Sequence, residues 1–461
     1  MADHSIKSIN SYNNFHFIGV AGTGMSAIAQ YLSGFGKTVS GSDRYFHPNE
    51  KNEIKDKLEA EGISCFLQDG TGITEATQLI VISTAVEETN VEIQKARSMN
   101  IPIISRSEIL TLISNEKRTI AVGGTSGKST TSAMLFDILD YAGLSPSIIS
   151  GAGLVRLQEQ GKIGNAFVGK GDLLVIEADE SDGSIVNYSP EIGLLLNLDK
   201  DHKEISELQT IFQTFKTHSQ IFIVNASHEL ALPLSQNLLQ DFSSNSAPAG
   251  FKATNFLQEG LSMTFKINGV DFLLNAIGKH NMENALAAVC VANQLGVSLQ
   301  ICSQAIAQYK GIYRRNQVLG KKHNIWVIDD YAHNPAKVAA AILGVQPLAK
   351  KVIAWFQPHG YGPTRFLRKD FVEEISKVLR PQDEIWMSEI FYAGGTAVKD
   401  ISANDLIEDI KANGKQAFFV ENRNNLLTEL RPHFTNDCVF ILMGARDPSL
   451  DAFAKQVYAE L

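Results

Sequence analysis

Ala121-Val122-Gly123-Gly124-Thr125-Ser126-Gly127-Lys128-Ser129-Thr130-Thr131 joins an apolar run to a helical pattern through a glycine-rich turn, the mark of a strand-to-helix phosphate loop. Glycines let backbone N–H groups crowd around phosphate oxygens, the helix N-terminus adds the positive end of its dipole, and a lysine reaches the β- and γ-phosphates. Lys128 fills the lysine place and Ser129 the magnesium-binding hydroxyl place. The general phosphate-loop pattern wants a further glycine where Val122 stands, so the loop is a variant of that pattern. A nucleoside triphosphate is the ligand it predicts, held through Gly124, Thr125, Ser126, Gly127, Lys128, Ser129 and Thr130.

Around this loop the chain has 461 residues, 44% of them hydrophobic, enough for about three domains with buried cores. Its net charge of -9, with dispersed Lys and Arg, gives no basic footprint for nucleic acid. The four cysteines, Cys65, Cys290, Cys302 and Cys438, form no C-x-x-C pair and suit reduced core positions in a cytoplasmic protein. The first residues are polar, and no apolar run approaches the roughly 18 residues of a membrane span. An untargeted cytosolic protein without membrane association is the expectation.

Upstream, Phe15 to Val20 leads into Gly22-Thr23-Gly24 and a helical pattern from Met25 to Phe35, a Rossmann-like strand-turn-helix. Its glycines run G-x-x-G-x-G rather than the dinucleotide G-x-G-x-x-G, with Asp43 at the end of the next strand. An NAD-dependent oxidoreductase is therefore disfavoured by the spacing. Strand-like runs at Leu79 to Ser83 and Ile101 to Ile104 complete a first α/β domain over residues 1–115, and Ser114 to Arg118 reads as a linker. The central domain, 116–316, carries apolar strands Leu173 to Ile176 and Ile192 to Leu196, each ending in a polar cluster, and a hairpin pattern around Asn268-Gly269. A third α/β series fills 317–461, with strands at Ile325 to Ile328, Lys351 to Phe356, Glu384 to Met387 and Val439 to Met443.

In parallel sheets ligands gather at the carboxyl ends of strands. An isolated acidic run is ordinarily a solvated turn, but Glu177-Ala178-Asp179-Glu180-Ser181-Asp182 follows a strand beside the phosphate loop, so Ser129 and Glu177 are the expected magnesium ligands. His202, in the cluster after the next strand, is a further metal-ligand candidate. Asp329-Asp330-Tyr331-Ala332-His333-Asn334-Pro335 likewise ends a strand and opens a helix with proline. Arg314-Arg315 upstream, and His359 with Arg365 downstream, add anion-binding capacity, because guanidinium donates two parallel hydrogen bonds to carboxylate or phosphate.

The ordered set Gly22-Thr23-Gly24-Met25-Ser26, Gly41-Ser42-Asp43, Gly124 to Thr130, Glu177 to Asp182, Gly278-Lys279-His280-Asn281, Arg314-Arg315, Asp329 to His333 and Phe356-Gln357-Pro358-His359 closely resembles the Mur ligases, over nearly the whole chain. Phe356 to His359 is most like the alanine-adding branch. The resemblance implies an α/β protein of three domains: a Rossmann-like N-terminal domain for a UDP-sugar, a central P-loop ATPase, and a Rossmann-like C-terminal domain closing over ATP and amino acid. It implies ATP and Mg2+ as cofactors, with UDP-N-acetylmuramate and an amino acid or short peptide as substrates of a monomer or weak homodimer.

By the same resemblance Lys128 stabilises the moving γ-phosphoryl group, and Ser129, Glu177 and His202 hold magnesium. Asn281 contacts adenine, Asp330 and His333 lie near ribose, phosphates and amino acid, and Arg315 and Arg365 hold anionic groups. Gly22, Thr23, Gly24, Met25, Ser26, Asp43, Ser83, Thr84 and Arg106 line the UDP-sugar site, while Arg314, Tyr331 and His359 meet substrate. The implied reaction is attack of the lactyl carboxylate on the γ-phosphate, giving an acyl phosphate that an amino group opens. Ser126, Ser129, Asn334 and Gly360 depart from the family pattern, the last two around the amino-acid pocket. A murein tripeptide ligase of peptidoglycan recycling and a non-catalytic nucleotide-binding homologue are the alternatives that these departures leave open.

Overall fold

A computed structural model describes residues 6, 8–47, 50–83, 86–199, 203–245, 247–392, 394 and 397–461. The chain forms two compact units. The first takes the chain to Thr254 with Lys266–Phe272 and Glu283–Ile312; the second comprises Asn255–Phe265, Leu273–Met282 and Tyr313–Leu461.

The first unit contains two open sheets. In one, five parallel strands run in the order Ser64–Leu67, Thr38–Asp43, Asn14–Ile18, Leu79–Ile82, Ile103–Ser105. The other has six, in the order Ile221–Val224, Ile192–Leu195, Arg118–Gly123, Leu173–Glu177, Ser147–Ile149, Ala166–Phe167, parallel except for the last. Parallel strands buried on both faces must be apolar along their length rather than alternating, and Leu173–Glu177, LLVIE, is buried up to its final acid. Phe17 and Val81 of one sheet and Ala121, Leu174 and Leu195 of the other belong to one hydrophobic cluster. Buried polar groups add a second tie: Asn165 donates to the Thr23 carbonyl at 2.7 Å and to Ser26 Oγ at 2.9 Å, and accepts from Gln30 at 2.7 Å.

The expected linker is shorter than its composition suggested. Ser114 and Asn115 complete the helix Arg106–Asn115 and Arg118 starts a strand, so Glu116 and Lys117 alone lie between elements. The polar run arises because a helix end and a strand start abut at the surface. The expected hairpin forms between Ser262–Ile267 and Val270–Leu274, turning at Asn268 (φ 47°) and Gly269 (φ 86°), the pair of positive angles a two-residue type I′ turn requires.

The second unit holds a six-stranded sheet in the order Gln317–Lys322, Ile325–Asp330, Cys438–Gly444, Lys351–Gln357, Glu384–Met387, Gln416–Phe419, with the first strand antiparallel. The two-residue side-chain period sorts the central strand cleanly: Val439, Ile441 and Met443 enter one cluster, Phe440 and Leu442 the other. The buried helix faces of Pro335–Val345, Arg368–Val378 and Ala403–Ala412 cover the first side, and Leu450–Glu460 the second. This double cover leaves the strand ends as the places where polar side chains can gather.

Candidate active site

In the first unit the glycine-rich turn leaves the strand Arg118–Gly123 and enters the helix Lys128–Tyr141. Gly127 caps the helix at φ 88°, and Gly124 lies at φ 135°. The Lys128 ammonium donates to the Gly124 carbonyl and to Glu180 Oε2, both at 2.7 Å. Burial works to strip its proton, but the neighbouring carboxylates of Glu180 and Asp179 overcome that and hold its pKa above the ordinary lysine value. Ser129 Oγ donates to Glu177 Oε2 at 2.9 Å, while Ser150 Oγ and the Gly151 N–H fix the other carboxylate oxygen, each at 2.6 Å. Lys128, Ser129 and Glu177 therefore meet at adjacent strand ends, and Thr130 lies in the first turn of the same helix.

Two groups that sequence reasoning assigned no role complete this site. Asn197, one strand away on the other side, accepts from Thr125 Oγ1 at 2.9 Å and from the Ser126 N–H at 2.8 Å, and donates to the Ser126 carbonyl at 3.0 Å. Glu180 is 4% exposed and pairs with Lys128. The sole sequence signal for either was membership of a polar cluster at a strand's carboxyl end. His202, expected in the second of those clusters, lies outside the described residues.

Several residues expected at the first glycine turn make contacts that brace it. Asp43 is buried and accepts from the Ala21 and Tyr45 N–H groups, both at 3.1 Å. Met25 is 2% exposed and sits in the core, and Ser26 donates its hydroxyl to the Thr23 carbonyl. What this turn offers a ligand is the N-terminal turn of the helix Thr23–Gly34, with Gly22 as its cap, and the N–H groups such a turn leaves without intrahelical partners. Arg106 crosses it: a methyl on Gly24 would lie 3.1 Å from Arg106 Cδ, and Arg106 Nη2 donates to Asp182 Oδ2 at 2.8 Å. Ser83 is half-buried just past the strand Leu79–Ile82, and Thr84 lies outside the described residues.

In the second unit the guanidinium groups of Arg314 and Arg315 both lie over the Tyr331 ring, at 5.5 and 5.0 Å, but the two side chains differ in burial. Arg314, expected to meet substrate, is buried and grips both oxygens of Asp329 at 2.8 and 3.1 Å and the Gly444 carbonyl at 3.1 Å. Positive φ at Arg314 (53°) and Asn316 (49°) turns the chain so that Arg315 lies over the Tyr331 ring at 5.0 Å. Asp330 accepts from the Asn316 N–H at 2.6 Å and the Ala332 N–H at 2.7 Å. Tyr331, His333 and His359 cluster, with ring centroids 5.6 Å apart for Tyr331–His333 and 5.8 Å for His333–His359. Burial, followed by the positive charge of Lys337, pushes the His333 pKa down to about 3, so this imidazole is neutral at physiological pH.

Asn281, expected at adenine, is 7% exposed and donates its amide to the Ile277 carbonyl at 2.8 Å. Arg365 is held by Asp400 and by the Val398 carbonyl. The two departures expected around the amino-acid pocket have local reasons. Asn334 caps the helix Pro335–Val345 by accepting from the Lys337 N–H at 2.9 Å, and Gly360 takes φ 73° at the entry to Tyr361–Phe366.

A phosphate loop with a hydroxyl and a carboxylate converging at adjacent parallel strand ends defines an α/β nucleotide-binding protein. The chain belongs to the Mur ligase family, whose members are ATP-dependent ligases that form amide bonds. Residues 14–118 match the Mur ligase family catalytic domain, 122–292 the Mur ligase middle domain, and 314–446 the Mur ligase glutamate ligase domain. The chain is 34% identical to the UDP-N-acetylmuramate–L-alanine ligase of Aquifex aeolicus, across 97% of this chain and 98% of that one. Its fold is similar to the crystal structure of UDP-N-acetylmuramate-alanine ligase from Thermotoga maritima, with TM-score 0.78 and 26% identity over 97% of this chain and 98% of that one. It is also similar in fold to a murein peptide ligase from Psychrobacter arcticus, with TM-score 0.65 and 21% identity over 97% and 98% of the two chains.

Proposed function

We propose that this chain joins L-alanine to UDP-N-acetylmuramate at the expense of ATP, a step in building the peptidoglycan precursor. The observation that carries the chemistry is Lys128 standing beside the converging Ser129–Glu177 pair. The loop N–H groups and the helix dipole bind the phosphates, and Lys128, kept charged by its acidic neighbours, faces the charge that develops on the transferring phosphoryl group.

The donor set fits Mg2+: one hydroxyl and one carboxylate oxygen, with phosphate oxygens and water completing a hard-oxygen shell. Among the described residues no group of three or more His, Cys, Asp or Glu side chains could hold a metal. Bound there by Ser129 and Glu177, magnesium would neutralise charge on the phosphate oxygens. The first glycine turn, with its helix N-terminus and Arg106, takes the diphosphate of the UDP-sugar.

The lactyl carboxylate attacks the γ-phosphorus with loss of ADP, and the alanine amino nitrogen then attacks the resulting acyl phosphate, expelling inorganic phosphate and leaving the amide. Such a reaction asks for positioning and charge stabilisation rather than a nucleophilic side chain. In the second unit Arg315, with neutral His333, Tyr331 and His359 around it, suits an anionic group of the incoming substrate. Among the described residues no helix is long and apolar enough to cross a membrane. We assign the reaction to the cytoplasm and to a monomer or weak homodimer acting on small molecules.

The test is to incubate the protein with ATP, Mg2+, UDP-N-acetylmuramate and a panel of L-amino acids together with the murein tripeptide, identifying products by mass. The expected product is the L-alanine adduct, with ADP release that depends on both substrates. ADP release independent of them would refute the ligase reading, and a tripeptide adduct would reassign the acceptor.

A further inference from the structure

Two ion pairs of the first unit share one short stretch of chain. Glu180 holds Lys128 of the phosphate loop at 2.7 Å, and two residues on, Asp182 holds Arg106, whose side chain crosses the first glycine turn, at 2.8 Å. The stretch is knitted to itself: the Ser181 N–H donates to Asp179 Oδ1, Gly183 N–H to the Glu180 carbonyl, and Ser184 N–H to Asp182 Oδ1, at 3.0, 3.2 and 2.9 Å. These bonds tie the backbone at Glu180 to that at Asp182, so a shift of the turn at one carboxylate carries the other with it.

We infer that Glu180 and Asp182 are positioning residues that couple the two anion-binding loops: a nucleoside triphosphate draws Lys128 off Glu180, the turn shifts, and Arg106 passes from Asp182 to an anion at the first glycine turn. The driving force is electrostatic. Glu180 is 4% exposed, and a carboxylate that loses its ammonium partner at that depth must move toward water or take up a proton. Arg106 already runs across Gly24, so release of its guanidinium from Asp182 adds a cation where the helix N-terminus favours negative charge. The coupling rests on the reading that the Lys128 loop binds the triphosphate and the first glycine turn the UDP-sugar. Coupling free energies of this kind change affinity by roughly 5- to 150-fold, and equally in both directions.

The experiment uses the full chain and calorimetry. UDP-N-acetylmuramate is titrated alone, with saturating Mg2+ and β,γ-imido-ATP, and with Mg2+ and ADP. Its dissociation constant should fall about tenfold with the triphosphate analogue and less with ADP, which lacks the γ-phosphate that competes for Lys128. Asp182→Asn should bind the UDP-sugar tightly without nucleotide and lose its response to nucleotide, a gain that loss of structure could not produce. Glu180→Gln should bind the triphosphate analogue more tightly than the parent protein and provides a second reading if Asp182→Asn does not fold. Equal UDP-sugar affinity with and without the analogue, both ligands binding, overturns the inference and spares the functional reading. So does a folded Asp182→Asn that keeps the full response. Failure of the parent protein to bind either ligand refutes the functional reading, and the inference falls with it.

Discussion

Replacing Asn197 by alanine removes at one stroke three of the hydrogen bonds that tie Thr125 and Ser126 to the neighbouring strand end, leaving those made by backbone groups of Asn197 and Asp199. Each is worth about 1 kcal/mol net. Asn197 is half-buried, so water restores part of the loss. The remaining cost is about 1.5 to 3 kcal/mol, and it falls on the order of the loop rather than on the core. At 1.4 kcal/mol per tenfold, nucleotide affinity should weaken by about 10- to 100-fold. Calorimetric titration with Mg2+ and β,γ-imido-ATP measures this, and a thermal melt separates it from global unfolding. Asn197→Asp sharpens the test: it keeps the acceptor oxygens but sets a carboxylate against the Ser126 carbonyl and beside the phosphates. It should bind nucleotide worse than the alanine variant at low salt and recover partly as salt rises. A folded Asn197→Ala protein that binds the analogue within twofold of the parent would refute the claim that this side chain orders the loop.

Lys128→Ala should abolish product while leaving the circular dichroism spectrum unchanged; turnover by the folded variant would remove Lys128 from its assigned role. In Gly127→Ala the new methyl would lie 2.5 Å from Asn284 Oδ1 at φ 88°, and with roughly 1–2 kcal/mol for the left-handed backbone alone, nucleotide binding should fall sharply. Burial pushes the Asp137 pKa up to about 6 despite Arg156, so between about pH 4 and 6 the folded state holds a proton the unfolded state has released. Stability from this group therefore falls as pH rises through that window, by at most about 1.4 kcal/mol per unit, and urea melts of Asp137→Asn should show that slope removed. His333 has the opposite sense: its folded pKa of about 3 lies below the ordinary value, so its contribution to stability rises with pH from about 3 to 6.5 and is then flat. An NMR titration of its ring protons should show no step between about pH 5 and 8, and a step near 6.5 would contradict the burial argument.

What the sequence made legible followed from short-range chemistry: the phosphate loop, its lysine and hydroxyl, and acids at the ends of apolar strands. What it hid depends on residues distant in sequence. Asn165 braces the first glycine helix from more than a hundred residues away, and Asn197 reaches Ser126 across 71 positions; an asparagine carries no motif that would announce either contact. Arg314 and Arg315 are identical in composition and adjacent, and both lie over Tyr331, yet with a left-handed backbone at 314 only the first enters a buried pair with Asp329 while the second stays half-buried. Elements were lost for an equally physical reason. Ser147–Ile149 is three residues long, too short to show a period, and Glu53–Ala60 buries Leu58 alone, so no apolar stripe marks it as a helix.

The misplaced glycine of the phosphate loop has a structural cause. Val122, where the general pattern wants glycine, is still within the strand Arg118–Gly123, pairs with Leu194 and Glu177 of its neighbours, and is fully buried. A β-branched residue is favoured there, and glycine would weaken the strand. The chain turns later, at Gly124 and Gly127, where φ is positive and a side chain would meet Leu196 at 3.0 Å or Asn284 at 2.5 Å. Gly123 is needed for space instead: a methyl would press on Ile185, Phe215 and Phe212 at 3.1 to 3.4 Å. Ile185, Phe212 and Phe215 follow the Glu180–Asp182 turn in the chain and share the core beneath the loop. The glycine spacing therefore reports where the strand stops and what packs beneath it: Ile185, just after the turn that supplies Glu180 to Lys128, and Phe212 and Phe215 from the helix Ile205–His218.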